Sequence, residues 1–250
     1  MKPLRVSVIT ATYNCASSIQ DCLNSVAAQS WPDIEHIVID GASSDGTLAI
    51  LRAQKKGISK LISEPDDGIY DALNKGLAHA SGDVVGFLHA DDVYSNNQVI
   101  SRLAAAFSDE SVQATYADLD YVRKDDLSRV VRHWRSGSFF NGLLERGWMP
   151  PHPTLYVRRD WYERIGGFDQ HYKIAADYFS ILQFFANPEF RSVYIPEVLV
   201  KMRLGGSSNR SIRNIVRKSR EDMDILRRTG IGGLKTLWLK NFSKLQQFIV

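Results

Sequence analysis

The chain has 250 residues, of which 44% are hydrophobic and 24% are charged. This composition is typical of a globular protein and excludes a disordered, collagenous or coiled-coil chain. No apolar run approaches the roughly 20 residues that a membrane-spanning helix needs, and the short apolar run near the start does not resemble a secretory signal. We therefore expect a cytoplasmic protein whose two cysteines, Cys15 and Cys22, stay reduced.

The net charge of +3 is unevenly distributed along the chain. From residue 205 onward, ten Lys or Arg residues stand against three acidic residues, so the last 46 residues carry +7 and the first 204 carry −4. A basic tail on a mildly acidic body indicates two roles, or one role performed beside an anionic surface. We predict a body over residues 1–204 and a basic helical extension over residues 205–250.

The first half of the chain alternates between strand-like and helix-like patterns. Short β-rich runs predict strands over residues 4–10, 34–40, 58–63 and 84–88. Between them, apolar residues recur at helical spacing, as in Ile19, Cys22, Leu23 and Val26. This order predicts an α/β fold with a doubly wound, mostly parallel sheet and helices on both faces.

The second half has a less regular pattern. Helices are predicted over residues 96–107, 159–165 and 176–185, and strands over residues 112–122, 128–134 and 154–157. Residues 193–204 form one or two further strands, and a proline-rich loop occupies residues 147–153. The tail is predicted to form two helices joined at residues 230–233.

Polar and acidic residues follow each of the first four predicted strands. In an open parallel sheet, ligands bind outside the carboxyl ends of the strands. One acidic turn alone would be structural, because Asp and Ser cap helices and form turns. Four such segments at one edge predict a site: residues 10–14, 40–47, 64–68 and 89–92.

The adjacent pair Asp91 and Asp92 is the strongest indication of a cation at this edge. Two neighbouring carboxylates repel each other unless they are solvated or bridged, and hard divalent ions prefer such oxygens. Asp40 is a candidate acceptor for hydrogen bonds from a ribose or a base. No G-x-G-x-x-G, P-loop or G-x-S-x-G motif is present, which argues against a dinucleotide dehydrogenase, a P-loop nucleotidase and a serine hydrolase.

Two longer motifs carry a family resemblance. Residues 40–47 read D-G-A-S-S-D-G-T and residues 67–76 read D-G-I-Y-D-A-L-N-K-G. Shorter matching segments occur at residues 10–14, 90–92, 166–169 and 176–178. In this order the chain, from Val6 to about Ser207, resembles the inverting family 2 glycosyltransferases with the GT-A fold. It is most similar to members that build bacterial exopolysaccharide, such as the colanic-acid type.

The resemblance implies roles for the matching positions. It assigns Asp177 as the general base and gives Asp91 and Asp92 an Mg²⁺ or Mn²⁺ ion bound with the donor diphosphate. Many relatives have an acid or Asn where this chain has His89, so Asp91 and Asp92 alone would hold the ion. The donor half spans about residues 1–95 and the acceptor half about residues 96–204. The positions implied for binding the nucleotide-sugar donor are Thr10, Thr12, Asn14, Asp40, Ser43, Glu64, Asp67, Asp71, Asn74, Lys75 and Asp91.

Other features have two interpretations each. Trp148 and His152 could contact the acceptor, or could belong to a loop packed on the core. Arg203 and Arg210 could assist phosphate binding, although single arginines are usually surface residues. The apolar stripe of the tail could lie in a membrane interface, or could pack on the body or in a dimer. It consists of Leu234, Leu237, Trp238, Phe242 and Leu245.

The sequence therefore predicts a glycosyltransferase that moves a sugar from a nucleotide donor to a saccharide or lipid-linked saccharide, with inversion. The resemblance places it in the synthesis of a bacterial surface polysaccharide, at the inner face of the plasma membrane. Nucleic acid is not expected as a partner. One alternative is a sugar-1-phosphate nucleotidyltransferase, which is disfavoured because residues 10–14 contain no Gly, Lys or Arg. Another is a non-catalytic subunit that binds sugar nucleotides or acts as a scaffold.

Overall fold

A computed structural model describes residues 4–54, 56–205 and 212–246. The first half of the chain forms alternating strands and helices, as the sequence predicts. These elements are β1 (Val6–Thr12), α1 (Ile19–Ala27), β2 (Ile34–Asp40), α2 (Thr47–Ala53), β3 (Lys60–Ser63), α3 (Ile69–His79) and β4 (Val84–Phe87).

The described part of the second half contains shorter strands and two single-turn 3₁₀ helices, at Leu144–Arg146 and His152–Thr154. Its strands are β5 (Val93–Tyr94), β6 (Ala114–Val122), β7 (Val130–Trp134), β8 (Tyr156–Arg158) and β9 (Ser192–Arg203). Its helices are α4 (Val99–Ala106), α5 (Arg159–Ile165), α6 (Ala176–Phe185), α7 (Ile212–Thr229) and α8 (Leu234–Gln246).

Over the described residues, nine strands form one sheet in the order β3-β2-β1-β4-β8-β6-β9-β5, with β7 paired to β6. The strands β3, β2, β1 and β4 are parallel, which confirms the predicted parallel half. The chain moves outward from β1 to β3 and then returns to the other side of β1 at β4. The connections therefore diverge between β1 and β4, and a ligand crevice forms at such a point in open α/β sheets.

The second half of the sheet is mixed, with β8 antiparallel to both β4 and β6 and β9 parallel to β6. The one or two strands predicted over residues 193–204 are a single strand, β9, with an irregularity, since Ala117 pairs with Ile195 and Asp118 with Val198. The two residues left unpaired between these pairs are Pro196 and Glu197, and Pro196 has no N–H to donate to the neighbouring strand. The sequence did not predict β5, because two residues are too few to show an alternating pattern.

Helices cover both faces of the sheet, as predicted. Successive residues of β1 point to opposite faces, so Ile9 packs with α3, α5 and α6, whereas Val8 packs with α1, α2 and α4. Helix α3 lies very close to β1 because Gly76 has no side chain. A Cβ at that position would lie 2.4 Å from Ile9 Cγ2.

The tail helices pack on the body. Ile225 and Leu226 of α7 are fully buried in the same core as α6. Asp222 of α7 and Lys240 of α8 form an ion pair of 2.8 Å in which both side chains are only 2% exposed. The Lys240 ammonium also lies 3.0 Å from the centre of the Tyr178 ring, on α6.

The predicted apolar stripe of α8 divides into two parts. Leu237 packs against the core, while Leu234, Trp238 and Phe242 are 77%, 61% and 50% exposed. The side chain of Leu245 lies outside the described part of the chain. Within the described residues, no helix is both long and apolar enough to span a bilayer.

The buried ion pair gives the first prediction. Replacing Asp222 by Leu should destabilise the protein by about 3–5 kcal/mol, because it leaves the buried Lys240 without its carboxylate. The double variant Asp222→Leu/Lys240→Met should recover most of that loss, because apolar groups of similar size replace a buried pair at little cost. Urea unfolding of the full chain measures both free energies. A double variant as unstable as the single one would show that the unpaired Lys240 is not what destabilises Asp222→Leu.

Candidate active site

At the end of β2, the carboxylate of Asp40 is fully buried and hydrogen-bonded. Ser43 donates its hydroxyl to Oδ1 at 2.5 Å and its backbone N–H to Oδ2 at 3.1 Å. Ser63, at the end of β3, donates its hydroxyl to Oδ2 at 2.7 Å. These bonds hold the ends of two neighbouring strands together and fix the orientation of the carboxylate.

The loop after β1 is joined to the loop after β2 by Asn14. Its backbone N–H donates to Ser43 Oγ at 2.8 Å, and its side-chain oxygen accepts the N–H of Ser44 at 2.9 Å. Both Asn14 and Ala42 have left-handed backbones, with φ of 52° and 59°. This conformation costs a non-glycine residue about 1–3 kcal/mol and is concentrated at functional sites.

The two threonines of β1 lie in different environments. Thr10 is fully buried, and its hydroxyl lies 3.0 Å from His36 Nε2 on the neighbouring strand. Thr12, at the strand end, is 4% exposed, and its hydroxyl has no partner among the described residues. The structure therefore brings Thr12 to the edge and leaves Thr10 inside the sheet.

Four of the predicted donor residues form a charged cluster between β3 and α3. Lys75 Nζ lies 2.9 Å from Glu64 Oε1 and 3.3 Å from Asp71 Oδ2. The hydrogen bond that Lys75 donates to Glu64, together with the one it donates to Asp71, raises the pKa of Lys75. The exposed Asp67 donates its backbone N–H to Asp71 Oδ2 at 3.2 Å.

Asn74 connects α3 to the loop at residues 166–169. Its side-chain amide donates to the carbonyl of Phe168 and accepts the N–H of the same residue, both at 2.8 Å. Gly167 allows this contact, because a Cβ there would lie 2.6 Å from Asn74 Oδ1. Both polar atoms of Asn74 are thus engaged within the protein, and its position indicates a structural role.

Asp91 and Asp92, which follow β4, could form part of a cation site. Asp91 is half-buried, whereas Asp92 is 1% exposed and its Oδ1 has no partner among the described residues. Burial, reinforced by the charge of Asp91, raises the pKa of Asp92 well above its usual range. The described residues contain no group of three side chains able to hold a metal. Mg²⁺ needs only one or two carboxylates when substrate phosphates complete its coordination, so the pair fits such an ion.

Arg203, at the end of β9, holds the loop that carries this pair. It is 7% exposed and donates to the carbonyl of Asp91 at 2.8 Å, to Asp21 Oδ2 at 2.5 Å and to the carbonyl of Lys124 at 3.2 Å. The sequence suggested phosphate binding for this arginine, but its donors are directed at the protein. Arg210, the other candidate, lies outside the described residues.

Asp177 is in the first turn of α6 and is partly buried. The hydroxyl of Tyr70 donates to its Oδ1 at 3.0 Å and also lies 2.8 Å from the carbonyl of Ile174. Tyr70 belongs to the motif at residues 67–76, but nothing in the sequence links it to Asp177, which lies 107 residues further on. This tyrosine is a site residue that the sequence analysis missed.

Two histidines, His89 and His152, lie close to Asp177. Burial lowers the pKa of His89 and lowers that of His152 to about 4, although the charge of Asp177 opposes both shifts. Their ring centres are 6.2 Å apart, and His152 stacks on Phe87. His89 Nδ1 and His152 Nε2 are buried with no partner in the part of the chain that the structure describes.

Trp148 has a largely structural environment. Its indole N–H donates to the carbonyl of Ser136 at 2.8 Å. Its ring packs against Tyr116, Phe139 and Phe185, with centres 5.2–5.6 Å away. Most of the ring is therefore engaged in core packing, and only a part of it is exposed.

The chain is similar to known glycosyltransferases over most of its length. The profile of glycosyl transferase family 2 matches residues 7–174. An uncharacterized glycosyltransferase of Mycobacterium tuberculosis is 37% identical over 181 residues, covering 71% of this chain and 68% of the relative. A PGL/p-HBAD biosynthesis glycosyltransferase of Mycobacterium bovis is 29% identical over 207 residues, covering 81% and 78%.

Two solved structures have the same fold. Residues 1–349 of Staphylococcus aureus TarS, in complex with UDP-GlcNAc, superpose with a TM-score of 0.73 at 19% identity, covering 94% of this chain and 69% of that one. The mannosyltransferase PcManGT of Pyrobaculum calidifontis, in complex with GDP-Man and Mn²⁺, gives 0.69 at 21% identity, covering 97% and 70%. The fold is thus GT-A, and the chain belongs to glycosyl transferase family 2, as the resemblance implied. It is a glycosyltransferase, which sets aside the nucleotidyltransferase alternative.

Proposed function

We propose that this enzyme transfers a sugar from a nucleoside-diphosphate donor to an acceptor hydroxyl with inversion, and that Asp177 is the general base. The observation that carries the proposal is the position of Asp177. Tyr70 orients its carboxylate, and both Asp177 and Asp91 lie close enough to His89, which follows β4, to raise the pKa of that histidine against the effect of burial. Such a group can accept a proton beside a diphosphate held at the carboxyl edge of the sheet.

The donor nucleoside is proposed to bind at the ends of β1 and β2. Thr12, Asn14 and Ser43 line this part of the edge, and the charged cluster from Glu64 to Lys75 continues it. Asp40 is fully buried and bound by Ser43 and Ser63, so it is proposed to hold the Ser43 loop in place and not to contact the donor itself. Thr10 and Asn74 are left out, since their polar atoms are engaged inside the protein. The donor complexes of TarS, with UDP-GlcNAc, and of PcManGT, with GDP-Man, support a nucleotide sugar as donor.

Asp91 and Asp92 would hold the divalent cation, either Mg²⁺ or Mn²⁺. When bound, the ion would neutralise negative charge on the departing nucleoside diphosphate. The unpartnered, buried Oδ1 of Asp92 supports this assignment. The Mn²⁺ in the PcManGT complex supports it as well.

The proposed reaction is a single displacement. The acceptor O–H proton moves to Asp177 as the acceptor oxygen attacks the anomeric carbon from the face opposite the diphosphate. The bond between that carbon and the phosphate oxygen breaks, and its electron pair leaves with the nucleoside diphosphate. Tyr70 holds the carboxylate in place, and the neutral ring of His152 is proposed to hydrogen-bond an acceptor hydroxyl. Because most of the Trp148 ring packs in the core, only its exposed edge can contact the acceptor.

Replacing Asp177 by Asn should lower kcat by about 10²–10⁴-fold, the usual contribution of general-base catalysis. Binding of the donor should change little, because the substitution keeps the size and one acceptor oxygen of the side chain. Asp160→Asn is the matched control, since Asp160 lies in the first turn of α5. Product formation and donor affinity are measured on each variant. Retained turnover, or an equal loss of donor affinity, would remove Asp177 from the role of base.

The donor and the ion are tested by thermal shift with UDP-, GDP- and dTDP-sugars, each with Mn²⁺ and with EDTA. A donor at 100 times its dissociation constant should stabilise the fold by about 2.7 kcal/mol. We expect donors of one nucleotide class to raise the melting temperature more with Mn²⁺ than with EDTA. Asp92→Asn should lose this additional, Mn²⁺-dependent stabilisation. Folded protein that responds to no donor would favour the scaffold alternative.

We also propose that α8 contacts the anionic inner leaflet of a membrane, where a lipid-linked saccharide acceptor of a surface-polysaccharide pathway would be located. Leu234, Trp238 and Phe242 form an exposed apolar strip, and the rings of the two aromatic residues stack at 4.3 Å. Of the tail's three acids, Glu221 and Asp222 are turned toward the body, with side chains 11% and 2% exposed. Asp224 is exposed, but the exposed basic residues outnumber it: Arg213, Arg220, Arg227 and Lys235. Each basic residue near such a leaflet contributes about 1 kcal/mol.

Vesicle sedimentation tests the membrane contact. The protein should bind phosphatidylcholine vesicles that contain phosphatidylglycerol better than those without it. Trp238→Ser/Phe242→Ser should lose this binding, while Val131→Ser, which removes an apolar side chain 37% exposed on β7, should not. Equal binding to both vesicle types would contradict contact with an anionic leaflet. If the wild-type protein is a dimer and the double variant is a monomer, the exposed strip is a dimer interface and not a membrane contact.

A further inference from the structure

Two of the three acidic residues of the basic tail contact the segment that leads into α6. From residue 205 onward the chain has three acids: Glu221, Asp222 and Asp224. Asp224 accepts the hydroxyl hydrogen of Tyr172 at 2.7 Å, and Asp222 pairs with Lys240 beneath the Tyr178 ring. Glu221 makes the most specific contact, because it binds the backbone immediately before the helix that carries Asp177.

Three consecutive backbone N–H groups donate to the Glu221 carboxylate. The N–H of Lys173 lies 3.1 Å from Oε1, and those of Ile174 and Ala175 lie 2.9 and 3.0 Å from Oε2. Arg217, one turn earlier on α7, donates to Oε1 at 3.1 Å and so holds the carboxylate in place. A carboxylate bound by several donors in this way fixes the backbone it contacts, since charge-assisted hydrogen bonds are short and strong.

Helix α6 does not supply this bond from its own sequence. Its N-cap position is Ala175, and no side chain caps it locally. In a capping box, a Glu or Gln at the third helical residue binds the N–H of the N-cap residue. The third helical residue here is Tyr178, so Glu221 supplies the equivalent bond from a helix 46 residues away.

We propose that Glu221 is a positioning residue for the reaction: by binding the N–H groups of residues 173–175, it fixes the start of α6 and thereby the orientation of Asp177. Ile174 links the two groups, because its N–H donates to Glu221 and its carbonyl accepts the Tyr70 hydroxyl that also binds Asp177. This inference rests on the proposed role of Asp177 as the base.

The test compares Glu221→Ala and Glu221→Gln with Asp224→Asn in the full chain. Asp224 is the matched control, because it docks the same helix through Tyr172 without contacting residues 173–175. Glu221→Ala should lower kcat by about 10- to 100-fold, the usual effect of displacing a catalytic group by about 1 Å, with the KM for donor unchanged. Glu221→Gln keeps an acceptor oxygen and should retain more of kcat, while Asp224→Asn should keep wild-type kcat.

Amide hydrogen exchange supplies the second readout. The amides of residues 173–175 should exchange faster in Glu221→Ala than in wild type, and should remain protected in Asp224→Asn. A kcat loss equal in the two variants, or faster exchange with unchanged kcat, would overturn the positioning role. Asp177→Asn is measured in the same series. If that variant keeps full turnover, the base assignment fails and the inference fails with it, whereas an inactive Asp177→Asn beside a fully active Glu221→Ala overturns the inference alone.

Discussion

The parallel alignment of β1 with β2 and β4 is the constraint on which the site depends. It brings residues far apart in the chain to one edge of the sheet, because parallel strands all end on the same side. The backbone at that edge is irregular, as shown by the left-handed Asn14 and Ala42. Hydrogen bonds from Ser43 and Ser63 to a fully buried carboxylate hold it in place. A regular scaffold thus supports a locally strained edge.

The electrostatics of this edge are those of a site that is completed by its ligands. Buried polar groups in proteins are nearly always hydrogen-bonded, yet within the described residues Thr12, His89, Asp92 and His152 each keep a buried atom without a partner. A carboxylate such as that of Asp92 is costly to ionise in this environment unless positive charge is supplied. The proposed nucleotide-sugar donor with its cation would supply both the charge and the missing hydrogen-bond partners.

The sequence predicted the parallel half of the sheet and the positions of its acidic loops, because hydrophobic periodicity and turn residues are local signals. It did not predict that Thr10 and Asn74 are engaged inside the protein, or that Arg203 holds the Asp91 loop. Those outcomes depend on contacts between distant segments, such as Asn74 with Phe168. The same reason explains why Tyr70 was not recognised as the partner of Asp177, and why β5, with only two residues, was missed.

The contact between α7 and the start of α6 affects where this chain could be divided or recombined. A boundary near residue 204, natural from composition alone, would separate Ala175 from the carboxylate that binds its N–H. A chimera that joins this body to the tail of a relative would therefore need an acidic residue at the position of Glu221. Domain exchanges within the family should therefore move the body and helices α7 and α8 together, because the two parts share the contact that fixes the start of α6.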